Sequence, residues 1–497
     1  TLPILLILCV LAYRFVPPVD TGRALMQIDG HRALNDSATI SIVTAALASV
    51  MLGMLGFYMV SSAVRRDLET RTGFVIAAMP VGNGEYLAGK FFGNAAYLGA
   101  VVLGYMVNVM GMHLLRGEAP LEPLVYLGTF TVMIGPTILV VSALALLFEC
   151  VPLLAGRLGD ILYLFVWIAM VSVASGARRI PSLDWHHVAD VFGMAFMQLQ
   201  VGGTGPHDSL SIGSTVFDAD KSVWIFPGIE WGWRSIAPRA MTAALAVPLL
   251  LIAGLAFGRF DPAIVKSGAT HARRSPLDVL NRALKPLARL VAPLPGLGHG
   301  TSRLIAAETA LGLMLGPAGL LWLMAAAIAS LVTPFPVMLH GVVPLIFLGL
   351  VAAIAEIPTR DGAVGMTPLL LTMPRMRERY LPIKLCAAAS TVLLFLLVPL
   401  LRLLIVRPDL ALSLVIGGSF VAAAAVSLGV LSGGPKAFAG TFLLFLYGVV
   451  RSGGEPAMDF AGFTGSATGT TRMGYALATA ALLMVAMAVR RRREGPN

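Results

Sequence analysis

Long runs of apolar residues recur along the whole chain, and most are long enough to form a membrane-spanning helix. Such a helix needs about 20 predominantly apolar residues to cross the hydrocarbon core of a bilayer. The candidate runs in the 497-residue sequence are twelve in number, at residues 2–16, 40–64, 92–115, 124–148, 158–176, 236–258, 317–333, 337–357, 384–406, 410–430, 437–450 and 473–489. The first run is short, so we expect its helix to begin upstream of Thr1, with a signal peptide as the alternative. The runs predict a multi-pass, all-α integral membrane protein.

The composition excludes the soluble classes of protein. Hydrophobic residues make up 57% of the chain and charged residues 12%, whereas soluble domains carry about 25% charged residues. Because about half of any folded surface is already apolar, a soluble protein of this composition could not bury the remaining apolar residues. Soluble enzymes, disordered chains and nucleic-acid-binding proteins are therefore excluded. Cys9, Cys150 and Cys386 are far apart in sequence and predict neither a disulfide framework nor a zinc site.

The placement of the basic residues predicts the orientation of the chain. Cytoplasmic loops of membrane proteins are enriched in lysine and arginine. Most of the 36 basic residues fall on the cytoplasmic side if the chain begins there, and Arg490–Arg493 directly follow the last run. We therefore expect about twelve transmembrane helices with both termini cytoplasmic.

Two loops share a pattern of residues at one fixed spacing. The matched residues are Arg66, Asp67, Pro80, Tyr86 and Lys90 after the second run, and Arg360, Asp361, Pro374, Tyr380 and Lys384 after the eighth. Each residue of the first set lies 294 positions before its counterpart in the second set. Two unrelated basic loops are the alternative, but apolar bias alone does not produce matches of these residue types at one offset. The pattern predicts an internal duplication.

The duplication predicts two parallel six-helix repeats, residues 1–258 and 301–497. Because six is an even number, both halves have the same orientation and are related by an axis along the membrane normal. Residues 259–300 between them contain five prolines and several basic residues, and we expect them to form a cytoplasmic linker. Residues 302–316 place apolar side chains on one stripe, which predicts an amphipathic helix before the first span of the second half.

The first of the two loops, residues 65–90, is longer than a connection between two antiparallel helices needs to be. It begins with charged residues that include Glu69 and Arg71, continues with an apolar strip at Phe74–Ala78, and is broken at Pro80. This order predicts a short helix that lies along the inner membrane surface and presents a charged end to the cytoplasm.

In these residues the chain resembles the permeases of ATP-binding-cassette (ABC) transporters of the type-2 class, with two permease halves fused in one chain. In that family the loop after span 2 carries a coupling helix, with an acidic residue, a glycine, an apolar strip, a proline and a lysine in that order. The residues that follow this order are Glu69, Gly73, Phe74–Ala78, Pro80 and Lys90. The amphipathic helix and the long outer segments 177–235 and 451–472 are similar features. The second loop departs from the pattern, with Ala363 and Thr367 at the positions of the acidic residue and the glycine.

The resemblance implies a function and a set of partners. Two separate cytoplasmic ABC ATPase subunits would dock on the two loops, bind ATP and Mg²⁺, and drive the export of a small amphiphilic or lipid-like substrate. This chain itself would bind no cofactor and no metal, and would have no catalytic residues. The residues implied in ATPase coupling are Arg66, Asp67, Glu69, Arg71, Gly73, Pro80, Tyr86 and Lys90 in the first loop, and Arg360, Asp361, Pro374, Tyr380 and Lys384 in the second.

Other functions fit the sequence less well. A secondary active transporter of the major facilitator type also has twelve spans in two parallel halves, but the loop after span 2 lacks the Gly-x-x-x-Asp-Arg-x-Gly-Arg pattern of that class. Mid-span charges, which a coupled carrier or an intramembrane enzyme would use, are almost absent. Gly84–Lys90 has the spacing of a phosphate-binding loop, but Phe91 replaces the residue that would hold Mg²⁺. A metal site at His186, His187 and Asp190 is an alternative to an outer cap that shapes an exit.

Overall fold

The structure is a computed structural model that describes residues 13, 16–18, 22–70, 72–151, 154, 157–176, 185–202, 210–217, 221–258, 284, 286, 293–297, 299–315, 318–452 and 454–494. The chain divides into two compact units, Thr1–Ala272 (unit 1) and Arg273–Asn497 (unit 2). Most of the predicted run 2–16, most of the predicted linker 259–300, and Arg71 lie outside the described residues.

Unit 1 is mainly helical. Its α-helices are α1 (Ser37–Val60), α2 (Ala63–Glu69), α3 (Thr72–Ala78), α4 (Asn83–Arg116), α5 (Pro123–Cys150), α6 (Arg157–Gly176), α7 (Trp185–Ala189), α8 (Met194–Gly202), α9 (Trp233–Ala244) and α10 (Ala246–Ala256). Its strands are β1 (Arg23–Ile28), β2 (His31–Arg32) and β3 (Leu210–Val216).

The described residues of unit 2 form helices and connections between them. The α-helices are α11 (Thr301–Leu315), α12 (Ala318–Val332), α13 (Phe335–Ile354), α14 (Arg360–Ala363), α15 (Thr367–Leu371), α16 (Met376–Val406), α17 (Pro408–Ser432), α18 (Lys436–Arg451) and α19 (Gly469–Glu494). A π-helical turn at Met338–Val342 interrupts α13, and α11 occupies the segment predicted to be an amphipathic helix.

Among the described residues, eight helices are long and apolar enough to cross a membrane, and a bent helix pair would be a ninth. The eight are Ser37–Leu68, Asn83–Arg116, Pro123–Cys150, Ser235–Ala256, Phe335–Ile354, Met376–Val406, Pro408–Ser432 and Gly469–Arg492, and the bent pair is Thr301–Leu313 with Ala318–Val332. The predicted runs 158–176 and 437–450 are helical in α6 and α18, which have 20 and 16 residues, and the described part of α6 is a shorter apolar helix at Gly159–Val173. The expected multi-pass helical character is confirmed, and the number of twelve spans stays a prediction.

Local chemistry explains where the long helices begin and end. The carboxylate of Asp36 accepts the backbone N–H of Thr39 at 2.8 Å and so caps the start of α1. Gly433 ends α17 with a φ of 74°, a left-handed conformation that glycine adopts without strain. Pro136 lies inside α5, which membrane helices tolerate because neighbouring groups satisfy the freed carbonyl.

Apolar and aromatic side chains form the interior of each unit. In unit 1, Phe57 of α1 stacks on Tyr163 of α6 with 3.5 Å between ring centroids, and Phe148 of α5 packs edge-on against Phe57. In unit 2, Phe347 of α13 packs on Phe460 with 5.1 Å between centroids. The alanines 422–425 of α17 are buried, and such small side chains let membrane helices approach closely.

The sheet in unit 1 was not predicted from the sequence. β1 pairs antiparallel with β2 and with β3, so residues that precede α1 join the long segment that follows α6. Arg32 of β2 holds this sheet against the connection between α4 and α5, because its guanidinium donates two hydrogen bonds to the Glu118 carboxylate at 2.6 and 2.7 Å. The backbone N–H of Asn35 donates a third, at 3.0 Å.

The Arg32–Glu118 contact predicts a pH dependence of stability. The hydrogen bond from Arg32 holds the pKa of the Glu118 carboxyl below its ordinary value. The contact therefore stabilises the fold above the ordinary carboxyl pKa of about 4.3, and this stability is lost as the pH falls through the lower, folded-state value. Glu118→Gln should cost about 0.5–1 kcal/mol near neutral pH, since solvent screens the pair, whose side chains are 14% and 25% exposed. We expect the thermal denaturation midpoints of the variant and the unmodified chain to differ near neutral pH and to converge in acid. An equal difference at both pH values would contradict this account.

Candidate functional site

In unit 1 a carboxylate, a phenol and an ammonium group meet where the loop of residues 61–82 (loop 1) joins α4. The Nζ of Lys90 lies 2.8 Å from the Oδ2 of Asp67, and the hydroxyl of Tyr86 donates to the same oxygen at 2.7 Å. Lys90 also lies 5.6 Å from the centre of the Tyr86 ring. Tyr86 and Lys90 are one helical turn apart, so they share a face of α4. The cluster ties the short helix α2 to the beginning of α4.

In unit 2 the same residue types meet where the loop of residues 355–375 (loop 2) joins α16. The Nζ of Lys384 lies 2.7 Å from the Oδ2 of Asp361 and 5.4 Å from the centre of the Tyr380 ring. The side chain of Lys384 is only 2% exposed. These contacts are ion pairs by distance rather than well-aligned hydrogen bonds.

The cluster of unit 2 is larger than that of unit 1. Glu308 of α11 places Oε1 2.8 Å from the Nζ of Lys384 and Oε2 3.9 Å from Arg360. The guanidinium of Arg490, near the end of α19, lies 4.5 Å from the centre of the Tyr380 ring. Loop 2 is therefore tied to α11 through Arg360 as well as to α16, and α19 contacts α16 at Tyr380.

A different acidic residue anchors loop 1. The carboxylate of Glu149, at the end of α5, accepts the backbone N–H groups of Ala63, Val64 and Arg65 at 2.8, 2.6 and 3.2 Å. These are the donors at the first turn of α2 that have no partner within the helix, and a carboxylate is favoured there by the helix dipole. The roles of Glu149 and Glu308 were not predicted from the sequence. The available signal was an acidic residue beside or within an otherwise apolar helical run.

Each loop also presents an exposed pair of apolar side chains, which we call the face of that loop. The face of loop 1 consists of Val75 and Met79, which are 56% and 47% exposed. The face of loop 2 consists of Leu369 and Met373, which are 57% and 50% exposed. The two pairs are separated by the same 294 positions as the charged clusters. Each face follows or forms part of a short helix, α3 in loop 1 and α15 in loop 2.

The structure brings some of the predicted coupling residues together and leaves others apart. Asp67, Tyr86 and Lys90 form one cluster, and their counterparts form the other together with Arg360. Gly73 is buried within α3 and Glu69 ends α2, whereas Arg71 lies outside the described residues. The remaining predicted residues are exposed, namely Arg66, Pro80 and Pro374.

The segment between α6 and α9 is held inside unit 1 by a buried arginine. Arg239 of α9 is 2% exposed and donates to backbone carbonyls. The acceptors are Val132 at 3.1 Å, Met133 at 2.7 Å, Val191 at 3.4 Å, and Asp190. The Asp190 carboxylate in turn accepts the N–H groups of Met194 and Phe196, both at 3.1 Å.

This arrangement weakens the metal alternative for the same segment. Both carboxylate oxygens of Asp190 are occupied by backbone donors. No group of three metal-ligating side chains occurs among the residues that the structure describes.

A buried aspartate organises the corresponding segment of unit 2. The Asp459 carboxylate accepts the N–H groups of Thr464, Ser466 and Ala467 at 3.3, 3.0 and 3.1 Å. Both aspartates are followed at the third position by a glycine in the left-handed region, Gly193 with φ 74° and Gly462 with φ 76°. The two units therefore share an Asp-x-x-Gly turn that the sequence analysis did not identify.

Comparison with family models, with curated proteins and with solved structures finds no match for this chain.

The burial of the two clusters predicts unequal effects of removing their lysines. Lys384→Met leaves two carboxylates, Asp361 and Glu308, without the buried cation between them, which should cost about 3 kcal/mol. Lys90→Met should cost about 1 kcal/mol, because Lys90 is 27% exposed and its removal leaves one carboxylate, Asp67, which keeps the hydrogen bond from Tyr86. Denaturation midpoints of the two variants in detergent would measure the difference. Equal shifts for the two variants would contradict the description of the clusters.

Proposed function

We propose that this chain is the membrane-spanning permease subunit of an ATP-driven ABC exporter. In this proposal two separate ATPase subunits dock on loop 1 and loop 2, and ATP and Mg²⁺ bind to those subunits. The cargo is a small amphiphilic or lipid-like molecule that is moved outward. The observation that carries the proposal is the pairing, in each unit, of an Asp–Tyr–Lys cluster with an exposed apolar face at the same offset of 294 positions.

The exposed faces support docking. Single exposed apolar side chains are normal, whereas apolar side chains grouped together beside polar residues mark interaction sites, and such a group recurs in both loops. Methionine occurs in both pairs, and its flexible thioether adapts to partner surfaces. Exposed arginines, Arg65 and Arg66, lie near the beginning of loop 1 and would contact acidic groups of a partner.

The ion-pair clusters support the transmission of movement. A subunit that displaces a short loop helix can affect the membrane helices only if the loop is firmly attached to one of them. The Lys90–Asp67 and Lys384–Asp361 contacts provide that attachment near the N-terminal ends of α4 and α16, which are both long enough to cross a membrane. Loop movement would then tilt or shift these long helices.

The same proposal includes two parallel six-helix halves with both termini in the cytoplasm of a bacterium. Two structural observations support the duplication. The helices α1 and α13, which precede the two loops, end at Val60 and Ile354, again 294 positions apart. Arg116 donates to the carbonyls of Tyr13 and Val16, and Arg402 donates to the carbonyls of residues 330 and 333, the same spacing of three.

Substitution on the two faces tests the proposal. Val75→Glu and Leu369→Glu place a charge on each apolar face without altering the Asp–Tyr–Lys clusters. We expect each variant to retain the co-purifying ATPase subunits about tenfold less well, since burial of a charge without a partner at an interface centre costs more than 1 kcal/mol. Thermal stability in detergent should stay unchanged, because both side chains are more than half exposed.

A matched control is available in the segment after β3. Ile225 is 65% exposed, and the proposed topology places it on the opposite side of the membrane, so Ile225→Glu should leave retention unchanged. Equal retention by all three variants would contradict docking at the faces. If the unmodified chain retains no ATPase and transports in response to an ion gradient alone, a secondary active transporter would replace the proposed exporter.

A further inference from the structure

We infer that loop 2 binds an acidic protein surface, with carboxylates opposite the first turn of α16, and that the surface bound by loop 1 lacks carboxylates at the matching place. This inference rests on the proposed function, and it adds that the two ATPase surfaces are chemically different. The observation behind it is that positions of unit 1 and unit 2 that lie 294 residues apart carry different charges.

Three arginines cluster where loop 2 enters α16. Arg375, Arg377 and Arg379 are all exposed. The positions related to them in unit 1 hold Val81, Asn83 and Glu85. These three positions therefore carry three positive charges in unit 2 and one negative charge in unit 1. In loop 1 the exposed arginines lie instead at the other end of the loop, at residues 65 and 66.

The stability of the helix does not explain these arginines. The N-terminus of a helix carries a partial positive charge, so cations in the first turn are unfavourable there. Arg377 and Arg379 occupy the first turn of α16, where Glu378 is the acidic residue. Arg375, at the N-cap, has a φ of 57° and makes no side-chain cap hydrogen bond. A non-glycine residue in that left-handed conformation costs about 1–2 kcal/mol.

The equivalent helix start in unit 1 follows the usual chemistry of a helix N-terminus. Glu85 lies in the first turn of α4 and accepts the backbone N–H of Gly82 at 2.9 Å, which is the glutamate half of a capping box. Unit 2 thus departs from local preference at Arg375 and Arg379, where unit 1 does not. Departures of this kind mark sites where a partner supplies the compensating interaction.

The chemistry of the side chains and their position indicate the partner. Guanidinium groups bind carboxylates through paired hydrogen bonds, which suits a cluster of Asp and Glu residues. The arginines directly follow the face of loop 2, formed by Leu369 and Met373, so an apolar contact with an acidic rim would cover both. Binding to anionic lipid headgroups would favour basic residues at the same positions of both loops. The three arginines have no basic counterparts in unit 1.

Removal of two of the arginines tests the inference in the full chain with its co-purifying ATPase subunits. Arg375→Gln with Arg379→Gln should reduce ATPase retention about fivefold at low ionic strength, and retention should then depend less on added salt. Arg491→Gln with Arg492→Gln removes the same charge from exposed positions near the end of α19. This control should leave both the retention and its salt dependence unchanged.

The outcomes separate the inference from the proposed function. If the unmodified chain retains ATPase subunits and the loop 2 variant retains them with the same salt dependence, the inference fails and the proposed function stands. If the unmodified chain retains none, the proposed function fails first. Nanodiscs of phosphatidylcholine, with and without phosphatidylglycerol, test the lipid alternative. An effect of the variant on thermal stability that is confined to the anionic nanodiscs, with retention unchanged in neutral ones, would overturn the inference.

Discussion

A lysine ammonium held against an aspartate carboxylate fixes each loop to the long helix that follows it. The distances, 2.8 Å in unit 1 and 2.7 Å in unit 2, are similar, but the surroundings differ. Removing ions from water is costly, and the attraction between them offsets that cost only when the pair is close and well surrounded. In unit 2 the lysine is almost completely buried and is flanked by a second carboxylate, Glu308. The main effect of the arrangement is therefore to hold the loop in one position, and its net contribution to the stability of the fold is smaller.

The two loops are held by different helices, so a movement of each loop would be passed to different parts of its unit. Loop 1 is held by Glu149 at the end of α5, whereas loop 2 is held by Glu308 on α11. A force on loop 1 would therefore reach α4 and α5 together, and a force on loop 2 would reach α16 together with the amphipathic helix before the first span. If the proposed function holds, this difference and the unequal charge at the start of α4 and α16 would make the two halves respond unequally to their ATPase subunits.

Much of the helical fold could be predicted from the sequence, because the length of an apolar run reports directly on a membrane-spanning helix. The offset between the loops likewise identified the members of both Asp–Tyr–Lys clusters before any contact was known. The sheet was missed, since the pairing of β1 with β3 joins segments that are far apart in sequence and gives no periodic signal. Glu308 and the contacts of Arg239 with backbone carbonyls were missed for the same reason. Their partners are defined by packing, which residue type and spacing do not encode.

Site-specific photo-crosslinking from Met79 and Met373 would test the central claim most directly. These side chains belong to the two exposed faces and lie outside the ion-pair clusters. With a photoreactive amino acid at either position, the account predicts a covalent product with an ATP-binding subunit, and none from the same group at Ile225. Products with lipid alone at both positions, or products with an ATP-binding subunit from Ile225 as well, would contradict it.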